Sequence, residues 1–273
     1  MRETGNADTP AAPTGREWIR TEGLGFSQDT TEILRNITLE IGEGELVGLI
    51  GPNGCGKTTL LKNLYRVYKP SRGAAYLDGK SLRAFTPRAL AQKMAVLAQE
   101  QPPPFDFTVM EMVLMGRYAR LKPLESPGDR DARICEGALD QVGLLRFRDR
   151  NFRSLSGGEK QRVLLAAAFA QETAVIILDE PTNHLDVGHQ LQVMDIISRH
   201  PDATVFASIH DLNIAAAYCD RLIAMNHGEI IASGPPDTLL TAELIRTLFQ
   251  VQVRLSREEE TGRLHISFIR AVP

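Results

Sequence analysis

The chain has 273 residues, of which 43% are hydrophobic and 24% charged, and this composition is typical of a soluble globular protein with one large or two small domains. Its formal net charge of −3 provides no overall basic field that would favour nucleic acid or an anionic membrane surface. No apolar run in the sequence approaches the roughly 20 residues that span a bilayer. We therefore expect any role in transport to require a separate membrane subunit.

The first residues of the chain are mostly small, polar, proline or glycine residues, without an apolar segment of signal-peptide length. This pattern predicts a disordered leader over residues 1–16. Cys55, Cys135 and Cys219 lie far apart and show no CxxC spacing, which indicates free thiols in a reducing cytoplasm.

Short alternating apolar patterns over residues 18–49 predict β-strands at the start of the domain. The apolar run ELVGLI (45–50) is followed by a glycine, as is typical of a buried strand in a parallel sheet. The next segment, TTLLKNLYRVY (58–68), has its leucines at helical spacing. The sequence therefore predicts a glycine-rich connection between a buried strand and a helix.

The middle of the chain has a different periodicity. Residues 107–170 are mostly helical in period, whereas AVIILDE (174–180) and TVFASIHD (204–211) predict strands that are separated by the helical segment 190–200. This alternation predicts an α/β core with a mainly parallel sheet and an inserted helical subdomain. After a strand pair at 221–234, the last stretch alternates again and predicts a terminal hairpin.

The glycine-rich connection, GPNGCGKTT, matches the phosphate-loop pattern G-x-x-x-x-G-K-[ST] between a strand and a helix. Its glycines allow backbone N–H groups to surround phosphate oxygens, and the following helix presents its positive N-terminus to the same anion. Lys57 can reach the terminal phosphates, and the hydroxyl of Thr58 can ligate Mg²⁺. A redox role for Cys55 is a less favoured alternative to packing. The predicted nucleotide-binding residues of this loop are Gly51, Pro52, Asn53, Gly54, Cys55, Gly56, Lys57, Thr58 and Thr59.

Two adjacent acidic residues end the strand predicted at 174–180. Asp179 is placed to bind a Mg²⁺ complex, directly or through water, and Glu180 is placed to polarise an attacking water as an ionised carboxylate. Together with the phosphate loop, this pair predicts a nucleoside triphosphatase.

The motif LSGGEKQR (155–162) resembles the signature motif of the ATP-binding-cassette (ABC) family, which usually reads LSGGQ. This sequence has Glu159 in the position where glutamine is commonest, a replacement that the family tolerates. The resemblance extends in the family's order over about 18–250. It implies a P-loop NTPase fold of the RecA-like type, with a mainly parallel sheet, an N-terminal antiparallel β part and an inserted helical subdomain.

The same resemblance implies particular roles for single residues. Gln99 resembles the glutamine of the Q-loop, Asp186 the last residue of the D-loop and His210 the switch histidine. Phe26 occupies the place where the family usually has a tyrosine that stacks on adenine. The resemblance thus implies Glu180, His210 and Gln99 as catalytic residues, and Thr58, Gln99 and Asp179 as ligands of Mg²⁺.

A head-to-tail dimer around two ATP molecules is also implied by the family. In such a dimer Ser156, Gly157 and Gly158 bind the γ-phosphate that a second copy of the chain holds. The expected organisation is an ABC ATPase domain over 17–250, a helical subdomain at about 100–165 within it, and a C-terminal β-like tail over 251–273.

Three further segments, 108–120, 182–194 and 210–236, resemble the ATPases of bacterial importers for iron–siderophore, haem and cobalamin. This implies a peripheral protein on the cytoplasmic face of the inner membrane, bound to integral membrane permease subunits and indirectly served by a substrate-binding protein, with no nucleic acid partner. Two alternatives remain open, namely a soluble ABC ATPase of cluster assembly, translation or repair, and a subunit of an exporter.

Overall fold

The computed structural model describes residues 16–98, 106–200 and 203–272. Gln99 and nearly all of the predicted leader lie outside these ranges. The strands of the described residues are β1 (Glu17–Gln28), β2 (Thr31–Gly42), β3 (Leu46–Ile50), β4 (Arg72–Leu77), β5 (Lys80–Ser81), β6 (Met94–Leu97), β7 (Val175–Asp179), β8 (Thr204–Ser208), β9 (Arg221–Asn226), β10 (Glu229–Gly234), β11 (Val251–Arg257) and β12 (Leu264–Ala271).

Helices connect most of these strands. The α-helices are α1 (Lys57–Leu64), α2 (Pro87–Ala91), α3 (Val109–Leu114), α4 (Asp129–Gln141), α5 (Gly157–Ala170), α6 (Val187–Ser198), α7 (Leu212–Tyr218), α8 (Pro236–Leu239) and α9 (Ala242–Phe249). Short 3₁₀ helices lie at Leu82–Ala84, Met115–Arg117, Leu145–Phe147 and Phe152–Ser154.

The main sheet has the strand order β10-β9-β3-β8-β7-β6. Its neighbouring pairs from β9 to β6 are parallel, and only the edge strand β10 is antiparallel. Every residue of β3, β7 and β8 is buried, because helices or a second sheet cover both faces of a parallel sheet. The predicted α/β fold with a mainly parallel sheet is therefore confirmed.

Successive residues of the central strands pack into two different cores. Val175 and Ile177 face a core shared with the N-terminal strands and α1, whereas Ile176 and Leu178 face a core shared with the helices of the middle and the C-terminal part. This division follows from the two-residue side-chain period of a strand. The N-terminal core is closed by an antiparallel sheet of order β2-β1-β4-β5, as the sequence predicts.

Helices α3, α4 and α5 follow β6 and precede β7 in the sequence. They pack against one another and form the inserted helical part of the fold. Arg117, only 3% exposed, ties them together: its guanidinium donates to the carbonyl oxygen of Ala170 and pairs with the carboxylates of Asp131 and Glu172. Such a buried cation requires these partners, because an unpaired one carries a large desolvation cost. The boundaries predicted for this subdomain, about 100–165, remain a prediction.

The C-terminal strands β11 and β12 form an antiparallel hairpin. Val253 and Ile266 bury one side of it against the core that also contains α7 and α9. Within the described ranges, no helix is long and apolar enough to cross a membrane.

Candidate nucleotide site

The predicted site residues meet at one edge of the main sheet. Strands β3, β8 and β7 are parallel neighbours, so their carboxyl ends lie together. The phosphate loop follows β3, Ser208 ends β8 and precedes His210, and Asp179 ends β7 and precedes Glu180. Ligands of open α/β sheets bind outside such carboxyl ends. The fold thus brings together residues that are more than 100 positions apart in the sequence.

The phosphate loop is tightly packed where it leaves β3. A Cβ atom on Gly51 would lie 2.3 Å from the carbonyl oxygen of Met225, so only glycine fits there. Gly56, the residue before α1, has φ of 107°, a left-handed conformation that favours glycine. Asn53 and Gly54 are exposed at the loop's tip, whereas Cys55 is buried.

Two side chains of this loop show how it is fixed internally. Lys57 is 6% exposed, and its Nζ donates to the carbonyl oxygens of Gly51 and Pro52 at 2.7 and 3.1 Å. Burial raises the pKa of the Cys55 thiol, despite the opposing effect of the nearby Lys57. The thiol is therefore neutral at ordinary pH, which favours packing over reactivity for Cys55.

Asp179 is 2% exposed and links β7 to the phosphate loop and to β8. Its Oδ1 accepts hydrogen bonds from the hydroxyls of Ser208 at 2.8 Å and Thr58 at 3.2 Å. Its Oδ2 is buried and has no hydrogen-bond partner among the described residues. Burial raises the pKa of this carboxyl, while the two hydroxyls act in the opposite direction. A buried carboxylate oxygen without a partner, beside a threonine hydroxyl, fits the oxygen-ligand preference of Mg²⁺.

Glu180 and His210 contact each other directly. Oε1 of Glu180 lies within hydrogen-bond distance of Nε2 of His210, and Oε2 accepts from Nδ2 of Asn183 at 2.7 Å. The backbone N–H of Glu180 donates to Oγ of Ser208 at 2.8 Å, and φ of Glu180 is 55°. A non-glycine residue in this left-handed region is strained, which is typical of residues at functional sites. Asn183 and Ser208 were not predicted from the sequence.

The signature motif begins helix α5 and caps it. Oγ of Ser156 accepts from the backbone N–H of Glu159 at 3.3 Å, and Oε2 of Glu159 accepts from the backbone N–H of Ser156 at 2.9 Å. This reciprocal capping box satisfies two of the free N–H groups at the helix start. The hydrogen bond from the Ser156 N–H holds the pKa of Glu159 below its usual range. Glu159, which replaces the usual glutamine of LSGGQ, therefore supplies the carboxylate of the capping box.

Gly158 and Asp186 are connected through His189. Asp186 caps helix α6 by accepting from the backbone N–H of His189 at 2.9 Å, and its other oxygen lies 2.7 Å from Nδ1 of the same histidine. The imidazole ring lies so close to Gly158 that a Cβ atom there would be 2.4 Å from the ring carbon Cδ2. Nε2 of Gln161 also donates to the carbonyl oxygen of Pro181 at 2.8 Å. The signature helix and the predicted D-loop are thus joined within one chain.

Phe26 is half-buried and stacks on a second aromatic residue, Tyr68, with ring centroids 4.8 Å apart and planes inclined by 10°. It also packs against the N-terminal core. One face of the Phe26 ring is therefore covered by Tyr68, a contact that the sequence did not predict. Stacking of Phe26 on adenine remains a prediction.

A cavity of about 500 Å³ opens beside the phosphate loop. Residues 51–55, His210, the turn residues Asn226 and His227, and residues 247–250 at the end of α9 line it. In the part of the chain that the structure describes, the phosphate loop thus faces an open space large enough for phosphate groups.

Comparison with known proteins identifies the family. Residues 34–183 match the family model described as ABC transporter. The iron(3+)-hydroxamate import ATP-binding protein FhuC of Bacillus subtilis (strain 168) is 35% identical, over 90% of this chain and 92% of that protein. The ferric enterobactin transport ATP-binding protein FepC of Escherichia coli (strain K12) is 36% identical, over 89% of this chain and 91% of that protein.

Solved structures agree with this comparison. A chain from an ABC transporter of the metal-chelate type, in an inward-facing conformation, superposes with a TM-score of 0.81 and 26% identity, over 93% of this chain and 98% of that chain. The protein therefore belongs to the ABC transporter family. Within that family it is an ATP-binding subunit that hydrolyses ATP.

Proposed function

We propose that the chain is the nucleotide-binding subunit of an ABC importer and that it powers uptake of a metal chelate, such as an iron–siderophore, haem or cobalamin, through a partner permease. Its similarity to the import proteins FhuC and FepC supports the substrate class. The contact between Glu180 and His210, next to the unpartnered oxygen of Asp179, is the observation that carries the hydrolytic part of this proposal.

ATP binding begins at the phosphate loop. Lys57 exchanges its two carbonyl partners for oxygens of the terminal phosphates, which carry a full negative charge and therefore attract the ammonium group more strongly. Backbone N–H groups of the loop after Pro52 and the N-terminus of α1 add donors for the same phosphates. Phe26, already stacked on Tyr68, offers its second face to adenine.

Thr58 and Asp179, together with Gln99, would hold Mg²⁺. The Oδ2 atom of Asp179, buried without a partner among the described residues, is the structural support for this assignment. When bound, Mg²⁺ neutralises part of the charge that develops on the β- and γ-phosphates. Ser208 keeps Asp179 oriented by donating to its other oxygen.

Glu180 acts on the water that attacks the γ-phosphate. Asn183 holds one oxygen of its carboxylate and His210 contacts the other, so the group is fixed in one orientation and need not reorganise during the reaction. The carboxylate orients the water and accepts its proton, and His210 stabilises the carboxylate and the charge on the phosphate.

Two copies of the chain pack head to tail around two ATP molecules. The support is that Ser156 and Gly157 are exposed at the start of α5, where the positive end of the helix faces an approaching anion. Ser156, Gly157 and Gly158 bind the γ-phosphate on the partner's phosphate loop, and Asp186 lines the interface between the copies. Loss of the γ-phosphate by hydrolysis then opens the dimer.

The dimer binds to the permease on the cytoplasmic face of the inner membrane, and a substrate-binding protein delivers the chelate from the other side. The helical part around residues 100–125 receives a cytoplasmic helix of the permease, and Gln99 transmits the nucleotide state to it. Met115, Tyr118 and Leu124 are 38%, 59% and 106% exposed there, and such apolar surface is typical of a protein-binding site.

Copurification and transport test this proposal together. The tagged chain, expressed with the permease encoded by its own genome, should copurify with that permease in detergent. Vesicles that contain both proteins and are supplied with the substrate-binding protein should accumulate chelate only when ATP is present. The Lys57→Ala variant is the control: it should still copurify but should not support uptake. Copurification with no integral membrane protein would favour the soluble alternative, and outward transport would favour the exporter alternative.

A further inference from the structure

The C-terminal part of the chain lies outside the residues that match the ABC transporter model, which end at residue 183. Helix α9 and the hairpin β11–β12, here called the C-terminal clasp (residues 242–272), nevertheless have two connections to the nucleotide site. One contact runs through α7 to His210, and the other forms a wall of the cavity beside the phosphate loop.

The first contact is made by one side-chain amide. Nδ2 of Asn213 donates to the carbonyl oxygen of Ile266 at 3.2 Å, and Oδ1 of Asn213 accepts from the backbone N–H of Ile266 at 2.8 Å. The amide thus satisfies both backbone groups of a residue that is 1% exposed. Because buried backbone groups without partners carry a large cost, this pair of bonds fixes α7 to the hairpin in a single register.

Helix α7 begins two residues after His210. Oδ1 of Asp211 accepts from the backbone N–H groups of Asn213 and Ile214 at 2.8 and 3.0 Å, so the first turn is capped at Asp211. On the other side of His210, the backbone N–H of Ile209 donates to the carbonyl oxygen of Leu49 in β3 at 3.1 Å. His210 is therefore fixed between the main sheet and a helical turn that the hairpin holds.

The second contact is made by the end of α9. Residues 247–250 line the cavity of about 500 Å³ together with residues 51–55 and His210. Gln250 ends the helix with φ of 54°, and its carbonyl oxygen accepts from the backbone N–H of Val272 at 2.6 Å. The residue that follows β12 thus holds the end of α9 in the cavity wall.

We propose that the C-terminal clasp positions the switch histidine for hydrolysis, and that Asn213 is the positioning residue through which it acts. The inference rests on the proposed catalytic role of Glu180 and His210. Without the amide of Asn213, the first turn of α7 loses its two hydrogen bonds to the hairpin, and we expect His210 to move relative to Glu180. A displacement of about 1 Å at a catalytic group can lower a rate by up to about 100-fold.

The test compares Asn213→Ala with Gln252→Ala, a matched change within the hairpin. Oε1 of Gln252 accepts from Nε of Arg270 on the neighbouring strand, so its loss alters the hairpin away from α7. We expect Asn213→Ala to lower kcat for ATP about tenfold with KM changed less than about twofold, because the change acts on the contact between His210 and Glu180 and leaves Lys57 and the phosphate loop intact. Gln252→Ala should keep both constants. Wild-type kcat in Asn213→Ala would overturn the proposal.

A double-mutant cycle separates positioning from general stability. If Asn213 acts through His210, then adding Asn213→Ala to His210→Ala should cause no further loss of kcat, whereas independent effects would add. Additive losses would overturn the proposal. Amide hydrogen exchange at residues 209–214 should also become faster in Asn213→Ala, and unchanged exchange would overturn it as well.

If Asn213→Ala does not fold, Asn213→Asp is the variant to measure. Its carboxylate still accepts from the N–H of Ile266 but no longer donates to the carbonyl oxygen, so we expect an intermediate kcat. A kcat equal to that of the wild type would again overturn the proposal. Failure of the proposed catalytic role has a different signature, because Glu180→Gln and His210→Ala would then leave the kcat of the wild-type chain unchanged.

Discussion

The phosphate loop and the signature motif lie at the starts of two helices, α1 and α5, but the chain uses them differently. Around the phosphate loop the polar groups are buried and paired within the chain. Lys57, 6% exposed, donates to carbonyl oxygens of its own loop, and Asp179, 2% exposed, accepts from Ser208 of the neighbouring strand. At the signature motif, Ser156 and Gly157 are exposed, and the hydroxyl of Ser156 contacts only its own helix turn among the described residues.

This difference agrees with the proposed dimer, in which the chain would contain the interior of one half-site and the outer face of another. A buried polar group requires its partners within the fold, whereas an exposed helix start keeps its donors available for an external ligand. In the proposed head-to-tail dimer, folding would complete the phosphate-loop half and association would complete the signature half. The three predictions below test this division, beginning with the largest expected effect.

Glu180→Gln should abolish most hydrolysis in the completed half-site. An amide does not accept a proton from water, so we expect the rate to fall by about 10²–10⁴-fold while ATP binding persists. The variant should also accumulate as an ATP-bound dimer with Mg²⁺, which size-exclusion chromatography detects. A rate within about tenfold of the wild type would contradict the role of Glu180, and a monomer under these conditions would contradict the dimer.

Mixing two inactive variants tests whether the signature half serves another chain. Ser156→Arg and Lys57→Ala should each inactivate the homodimer. In a mixed dimer both defects fall in the same composite site, because Lys57 of one chain faces Ser156 of the other, and the second site is intact. We therefore expect partial recovery of ATPase activity or ATP occlusion in the mixed transporter.

The control for this experiment is each variant assembled alone, with the mixed composition verified by two different tags. A site contained within one chain predicts no recovery, because every chain then carries its own defect. Verified mixed dimers that neither hydrolyse nor occlude ATP would contradict the head-to-tail arrangement.

The smallest expected effect is a difference in stability between alanine substitutions at the two neighbouring glycines of the signature motif. A Cβ on Gly158 would meet the ring of His189 at 2.4 Å, whereas a Cβ on Gly157 would meet nothing within 4 Å. We expect Gly158→Ala to lower the free energy of unfolding of the isolated chain by about 1–3 kcal/mol. Gly157→Ala should leave it unchanged or raise it by up to about 1 kcal/mol, since alanine favours a helix.

Thermal and denaturant unfolding of the two variants measure this difference. Combining Gly158→Ala with His189→Ala should restore part of the lost stability, because the second change removes the ring that the new methyl group meets. Equal stabilities of Gly157→Ala and Gly158→Ala would show that the contact between the signature helix and α6 does not constrain Gly158.

The sequence by itself determined the phosphate loop, the strand that ends in Asp179 and Glu180, and the α/β order of the core. These features depend on local patterns: a fixed glycine spacing, an apolar run of strand length, and helical or alternating periodicity. For Cys55, the local motif determined its position in the phosphate loop but did not determine that its side chain is buried.

Only the tertiary structure decided which side chains meet. Ser208 lies opposite Asp179 because β7 and β8 pair in one particular register, and no local pattern specifies that register. The stacking of Phe26 on Tyr68 and the amide contact of Asn213 with Ile266 likewise join segments that are 42 and 53 residues apart. Side-chain partners of this kind depend on how whole elements pack, whereas periodicity reports only which face of a single element is buried.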